Sequence, residues 1–189
     1  KGASVLPGII AAATKGDDAL LRKILSVFEA EGFAVEGADD ILGGETLPAG
    51  ALGSVRPTAA QLSDVHKALH VADKSGELDI GQGAVVVDGL VLAVEAQEGT
   101  DAMLTRVAGL PQALRGRPGL GKGALGKSPK PIQDLRVDMP VIGPRTVTLA
   151  AEAGLAGIAG REGRLIVIDR RGVIETADRL GLFVWGEPG

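Results

Sequence analysis

The sequence predicts an α/β (or α+β) domain: a mixed sheet with a central Asp-Gly hairpin, covered by helices. Segments with a helical apolar stripe alternate with short apolar runs along the chain. In the middle, "AVVVDGLVLAVEA" sets two apolar runs around Asp88-Gly89, the pair favoured in a type I′ turn. With 189 residues, 45% of them apolar, the chain can bury a core of its own, so residues 1–189 read mainly as one domain.

Asp18 to Glu31 reads as a helix: Asp17 or Asp18 caps it, Leu21, Ile24, Leu25 and Phe28 form one stripe, and Gly32 ends it. Phe33–Ala38 fits a short strand, and the Pro- and Gly-bearing stretch after it fits a loop. Thr58 and Gln61 have capping-box spacing, opening a helix to about Lys74 with Leu62, Val65, Leu69 and Ala72 inward and Gly76 as its stop. Ala84–Val87 and Leu90–Glu95 then pair as the hairpin. Both runs are apolar throughout, which places them in a sheet covered on both faces. Thr100 or Asp101 caps a helix to about Val107. Further on, Leu135–Val141 reads as extended, Thr146–Ala153 as a helix, Leu155–Ala159 and Leu165–Asp169 as strands, and Glu175–Leu180 as a helix leading into Leu182–Trp185.

Composition removes several functions. Four aromatic residues and no Tyr are too few for the stacking platforms that single-stranded nucleic acid needs, so no nucleic-acid partner is expected. The absence of Cys excludes disulfide and thiolate chemistry and fits a reducing compartment. No apolar stretch approaches the roughly 18 residues of a membrane span. Net charge is −4, yet Arg115 to Arg145 holds seven basic residues against two acids, a local balance of +5 that can steer an anionic partner. The alternative for that segment is a solvated basic loop.

Within it, "GLGKGALGKSPKPIQD" formally matches a P-loop through Gly121, Gly126, Lys127 and Ser128. A working P-loop needs a strand before it and a helix starting at the Lys-Ser pair. "ALRGRPGL" has no β-branched run, and Pro129 and Pro131 oppose a helix, so nucleoside triphosphate binding is not expected. In "DLRVDMP", Asp134, Arg136 and Asp138 would share one face of a strand, with the aspartates about 13 Å apart. At that distance they cannot both ligate one magnesium: one is a direct ligand or base, the other orients Arg136, and Asp138, nearer the strand's carboxyl end, is preferred. Two ordinary surface ion pairs would explain the pattern equally. Glu95, Glu98 and Asp101 form an acidic cluster that could take a divalent cation, or else supply a rim carboxylate and a helix cap. His66 and His70 have zinc-like spacing but no further soft ligand, and Ser128 has no histidine partner.

Four stretches, "LPGIIAAATKGDDALLRKIL", "GQGAVVVDGLVLAVEAQEGTDAMLTR", "KSPKPIQDLRVDMPVIG" and "AGLAGIAGREGRLIVID", together resemble the LpxI-type UDP-2,3-diacylglucosamine pyrophosphohydrolases of lipid A synthesis. The resemblance spans almost the whole chain in order. It implies a Mg2+-dependent hydrolase that yields UMP and 2,3-diacylglucosamine 1-phosphate (lipid X). In that reading Lys127 and Lys130 hold the diphosphate, and Gln133, Arg136, Thr100 and Gln82 add substrate contacts. Asp138 or Asp134 is the catalytic carboxylate, and Asp138, Glu95 and Asp101 hold the metal. The family also carries an N-terminal domain with a "GxGxLP"-like start that nothing here matches, so residues 1–15 read as a linker from it. A lipid-bearing UDP-sugar substrate, a peripheral position at the inner membrane and a homo-oligomer complete the expectation. The competing reading is a non-catalytic anion- or nucleotide-binding α/β module.

Overall fold

The computed structural model describes residues 7, 10–12, 17–37, 41, 44–131, 134–136 and 138–189. Among the described residues the strands are β1 (Gly50–Ala51), β2 (Gly83–Val87), β3 (Leu90–Val94), β4 (Ala124–Lys127), β5 (Val141–Ile142), β6 (Gly157–Arg161), β7 (Ile166–Val167) and β8 (Phe183–Glu187). The helices that matter here are α1 (Asp17–Ala30), α2 (Ala59–Glu77), α3 (Gly99–Ala108), α4 (Pro144–Glu152) and α5 (Arg170–Leu180). Six strands form one sheet in the order β1-β8-β6-β4-β2-β3, while β5 and β7 pair apart from it. Strands β4, β6 and β8 run parallel, and β1, β2 and β3 are antiparallel to their neighbours. A mixed α/β sheet covered by helices is therefore the fold.

Strand alternation sorts the core. Leu125, Ile158 and Val184 face Met103 and Leu104 of α3, Val147 and Ala150 of α4 and Val173 of α5. Ala124, Ala159 and Phe183 face the other way, toward Val65 and Leu69 of α2. The capping box starts α2 as its spacing predicts: Gln61 N–H donates to Thr58 Oγ1 (3.3 Å) and Thr58 N–H to Gln61 Oε1 (2.8 Å). The helix runs through Gly76 to Glu77, past its expected end. The turn residues Asp88 and Gly89 have φ of 48° and 77°, as a type I′ hairpin requires. The buried carboxylate of Asp64 on α2 locks that turn, accepting the N–H groups of Asp88 (3.0 Å) and Gly89 (2.7 Å).

Several expectations change. The hairpin closes one edge of the sheet: β2 is buried throughout, but Leu90 and Val91 of β3 are 57% and 43% exposed. Phe33–Gly37 forms no strand, and the capping of α1 by Asp17 or Asp18 lies outside the described side chains. The N-cap of α3 is Glu98, with no side-chain cap bond. The largest change concerns the glycine loop. Residues 124–127 are an interior strand, and the Gly126 backbone lies so close under α2 that a Cβ there would stand 2.8 Å from the backbone of Ala68 and Leu69. Helix packing, not phosphate, requires that glycine. No helix starts at Lys127, which removes the P-loop reading.

Candidate functional site

Residues of parallel strands that end at the same edge of a sheet converge there, and ligands of open α/β sheets bind outside the carboxyl ends. Here β4 ends in Lys127 and its neighbour β6 ends in Arg161. Antiparallel pairing brings the start of β2 (Gly83) opposite Lys127, and Glu95 follows the end of β3 at the same edge.

The Lys127 side chain lies on the Leu125 face and points inward, only 4% exposed. Its ammonium donates to Thr100 Oγ1 (2.8 Å) and to the Val141 carbonyl (3.3 Å), and lies 4.0 Å from Glu95 Oε2. Thr100 in turn donates to Glu95 Oε1 (2.9 Å). Glu95 is 8% exposed, and its Oε2 has no hydrogen bond. Burial pushes the Lys127 pKa below the usual lysine value, partly offset by Glu95 and Asp101. Lys127, Thr100 and Glu95 thus make an internal relay joining the end of β4, the start of α3 and the end of β3. Lys127, which the resemblance implies as a diphosphate ligand, is buried here, and Thr100 is likewise turned inward to Lys127 and Glu95.

The cations that do reach open space lie alongside. A cleft of about 200 Å³ is lined by Asp73 of α2, Ser128 to Pro131, Leu135, Arg161 and Arg164. Lys130 pairs with Asp79 (2.7 Å), and Arg161 pairs with Asp73. The guanidinium of Arg164 makes no hydrogen bond or ion pair among the described residues. The sequence reading missed Asp73, Arg161 and Arg164. Its available signal was a cation closing the apolar run "GIAGR", the same position Lys127 has in "ALGK". A larger cleft at the start of α5 is lined by residues such as Arg170, Arg171 and Glu175, but Arg171 is tied to Glu175 (2.7 Å) and Arg170 to the carbonyls of Gly44 and Thr46. None of the predicted site residues lies in it.

Asp134, Arg136 and Asp138 do not share a strand face. The chain turns, so that Asp138 N–H bonds the Asp134 carbonyl (3.1 Å), and β5 begins only at Val141. The turn removes the 13 Å separation argument, which held for a straight strand. Arg136 grips both carboxylate oxygens of Asp134, Nε to Oδ1 at 2.9 Å and Nη2 to Oδ2 at 2.6 Å. Those hydrogen bonds hold the Asp134 pKa below the usual carboxylate value. Leu135, between the two aspartates, lines the cationic cleft, so the turn forms part of its wall.

The resemblance implies Asp138, Glu95 and Asp101 as the residues that hold the metal. Among the described residues no three His, Cys, Asp or Glu side chains converge. Glu95 faces the ammonium of Lys127, and Asp101 is paired with Arg145 (2.7 Å). Glu98 is held by Arg106 (2.8 Å), and exposed His66 by Glu187 (2.9 Å). Gln82 contributes its carbonyl to Ser128 N–H (2.9 Å) and buries a side-chain oxygen without a partner, while Gln133 lies outside the described residues.

Fold and site together define an α/β domain with a cationic cleft at the carboxyl edge of its parallel strands, walled by a turn that carries two aspartates. The model of the LpxI C-terminal domain matches residues 48–185, and the chain belongs to the LpxI family. It is 61% identical over 186 residues to the UDP-2,3-diacylglucosamine pyrophosphatase LpxI of Caulobacter vibrioides. That match takes in 98% of this chain and 66% of the relative's length.

Proposed function

We propose that this chain is the C-terminal unit of a hydrolase that splits the pyrophosphate of UDP-2,3-diacylglucosamine into UMP and 2,3-diacylglucosamine 1-phosphate. The observation that carries the reading is the 61% identity to a pyrophosphatase of that substrate, in a match that takes in 98% of this chain. Water attacks one phosphorus, the bond from that phosphorus to the bridging oxygen breaks, and the second phosphate leaves with the electron pair. Negative charge grows on the departing oxygen, and cations fixed near it lower the barrier most. Lys130, Arg161 and Arg164 supply those cations, while Asp138 orients and deprotonates the water and Asp134 holds Arg136 and the turn. Asp138 would be the residue to hold a magnesium ion, which commonly takes one or two protein carboxylates and completes its shell with substrate phosphates and water. Bound there, it would neutralise phosphate charge and acidify a water.

In this reading the unit works in the cytoplasm against the inner membrane surface, and an N-terminal domain completes the uracil contacts. Among the described residues no helix is long and apolar enough to cross a membrane. The test is UMP release from UDP-2,3-diacylglucosamine by this chain and by a version extended at its amino end, each with and without magnesium. Magnesium-dependent release by the extended form supports the proposal; release by neither folded form rejects it in favour of an anion-binding module. Arg164→Ala should lower kcat and kcat/KM together by about tenfold, since it removes a cation that meets charge developing in the transition state.

A further inference from the structure

The Asp134–Asp138 turn has a partner that neither motif nor composition identifies. Arg136 spends Nε and Nη2 on Asp134, and its remaining terminal nitrogen, Nη1, donates to Glu29 Oε1 of α1 at 2.8 Å. Arg22, also on α1, lies close enough to Asp134 to favour its ionised form. Arg22 and Glu29 are seven residues apart and so share one face of the helix. One face of α1 therefore presents a cation to the aspartate and a carboxylate to the arginine.

We propose that Glu29, with Arg22, is a positioning residue for the hydrolytic site: α1 holds the Asp134–Arg136 pair, and through it the turn that carries Asp138. The inference rests on the hydrolase reading above. Isolated exposed ion pairs contribute little, and both members of the Glu29–Arg136 pair are close to half exposed. This one belongs to a network with a bidentate centre. The backbone N–H of Arg136 also donates to Asp134 Oδ1 (3.1 Å), so a guanidinium shifted by loss of the Glu29 contact shifts the turn with it. Glu29 touches neither the cleft nor the reacting atoms; its effect passes through Arg136.

The test uses the chain extended at its amino end, with kinetics on UDP-2,3-diacylglucosamine and a side-chain NMR signal, the Arg136 Nε–H, as an independent readout. Glu29→Gln should lower kcat about fivefold with KM little changed, the size of effect expected for an exposed charge network. The Arg136 Nε–H resonance should shift and exchange faster with solvent. Glu29→Asp should restore both, at least in part. An unchanged kcat, or an Arg136 signal indifferent to Glu29, overturns the proposal. If no form hydrolyses the substrate but the Arg136 signal still follows Glu29, the hydrolase reading has failed and the contact between α1 and the turn stands.

Discussion

Asp138→Asn is expected to leave the fold intact and slow hydrolysis of UDP-2,3-diacylglucosamine by about 10²–10⁴-fold, the range for losing a positioned proton acceptor. Asp134→Asn should slow it by less. Both oxygens of Asp134 are in the grip of Arg136, which depresses its pKa and makes it a poor proton acceptor. Its contribution is to fix Arg136 and, through its own carbonyl, the N–H of Asp138. An asparagine keeps that carbonyl and much of the hydrogen bonding, so part of the function survives. Single-turnover rates of the two variants, beside their thermal midpoints, measure the difference. Equal losses would mean that the aspartates act as one unit.

What the sequence made legible here was local. The Thr58–Gln61 box and the Asp88-Gly89 turn depend on residues within four positions of each other, and both form as their spacing predicts. Strand β4 was not legible, because "GALGK" is glycine-rich for a tertiary reason: α2 crosses directly over Gly126 and leaves no space for a side chain. The turn at Asp134 was missed for a related cause. Alternating polar and apolar residues suit a strand, but a side chain two positions away competes with the ladder when Asp134 captures both the backbone and the guanidinium of Arg136. The cationic cleft has no local signature at all. Asp73 and Arg161 are 88 positions apart and meet only because β6 pairs beside β4 under α2. Its partners become readable only once strand order is known. The recognition of the family, by contrast, needed no topology, since the matching stretches run in order along the chain.

Lys127→Met should cost the fold about 3–5 kcal/mol, the usual penalty for removing one partner of a buried ion pair. Glu95 would keep its hydrogen bond from Thr100 but lose the cation that, among the described residues, lies beside its unpartnered oxygen. That loss is what makes the single variant costly, so the double variant Lys127→Met/Glu95→Gln should recover much of it. An amide no longer needs a counter-charge, and methionine fills most of the lysine stem's volume. The pH dependence gives a second check. The folded-state pKa of Lys127 is depressed, so the unfolded chain binds that proton more tightly, and this group's contribution to stability rises with pH up to the ordinary lysine value of about 10.4. The rise should be missing from the methionine variant. Denaturant unfolding of the wild type, both singles and the double closes the cycle. Additive losses in the double would show that Lys127 and Glu95 are not coupled.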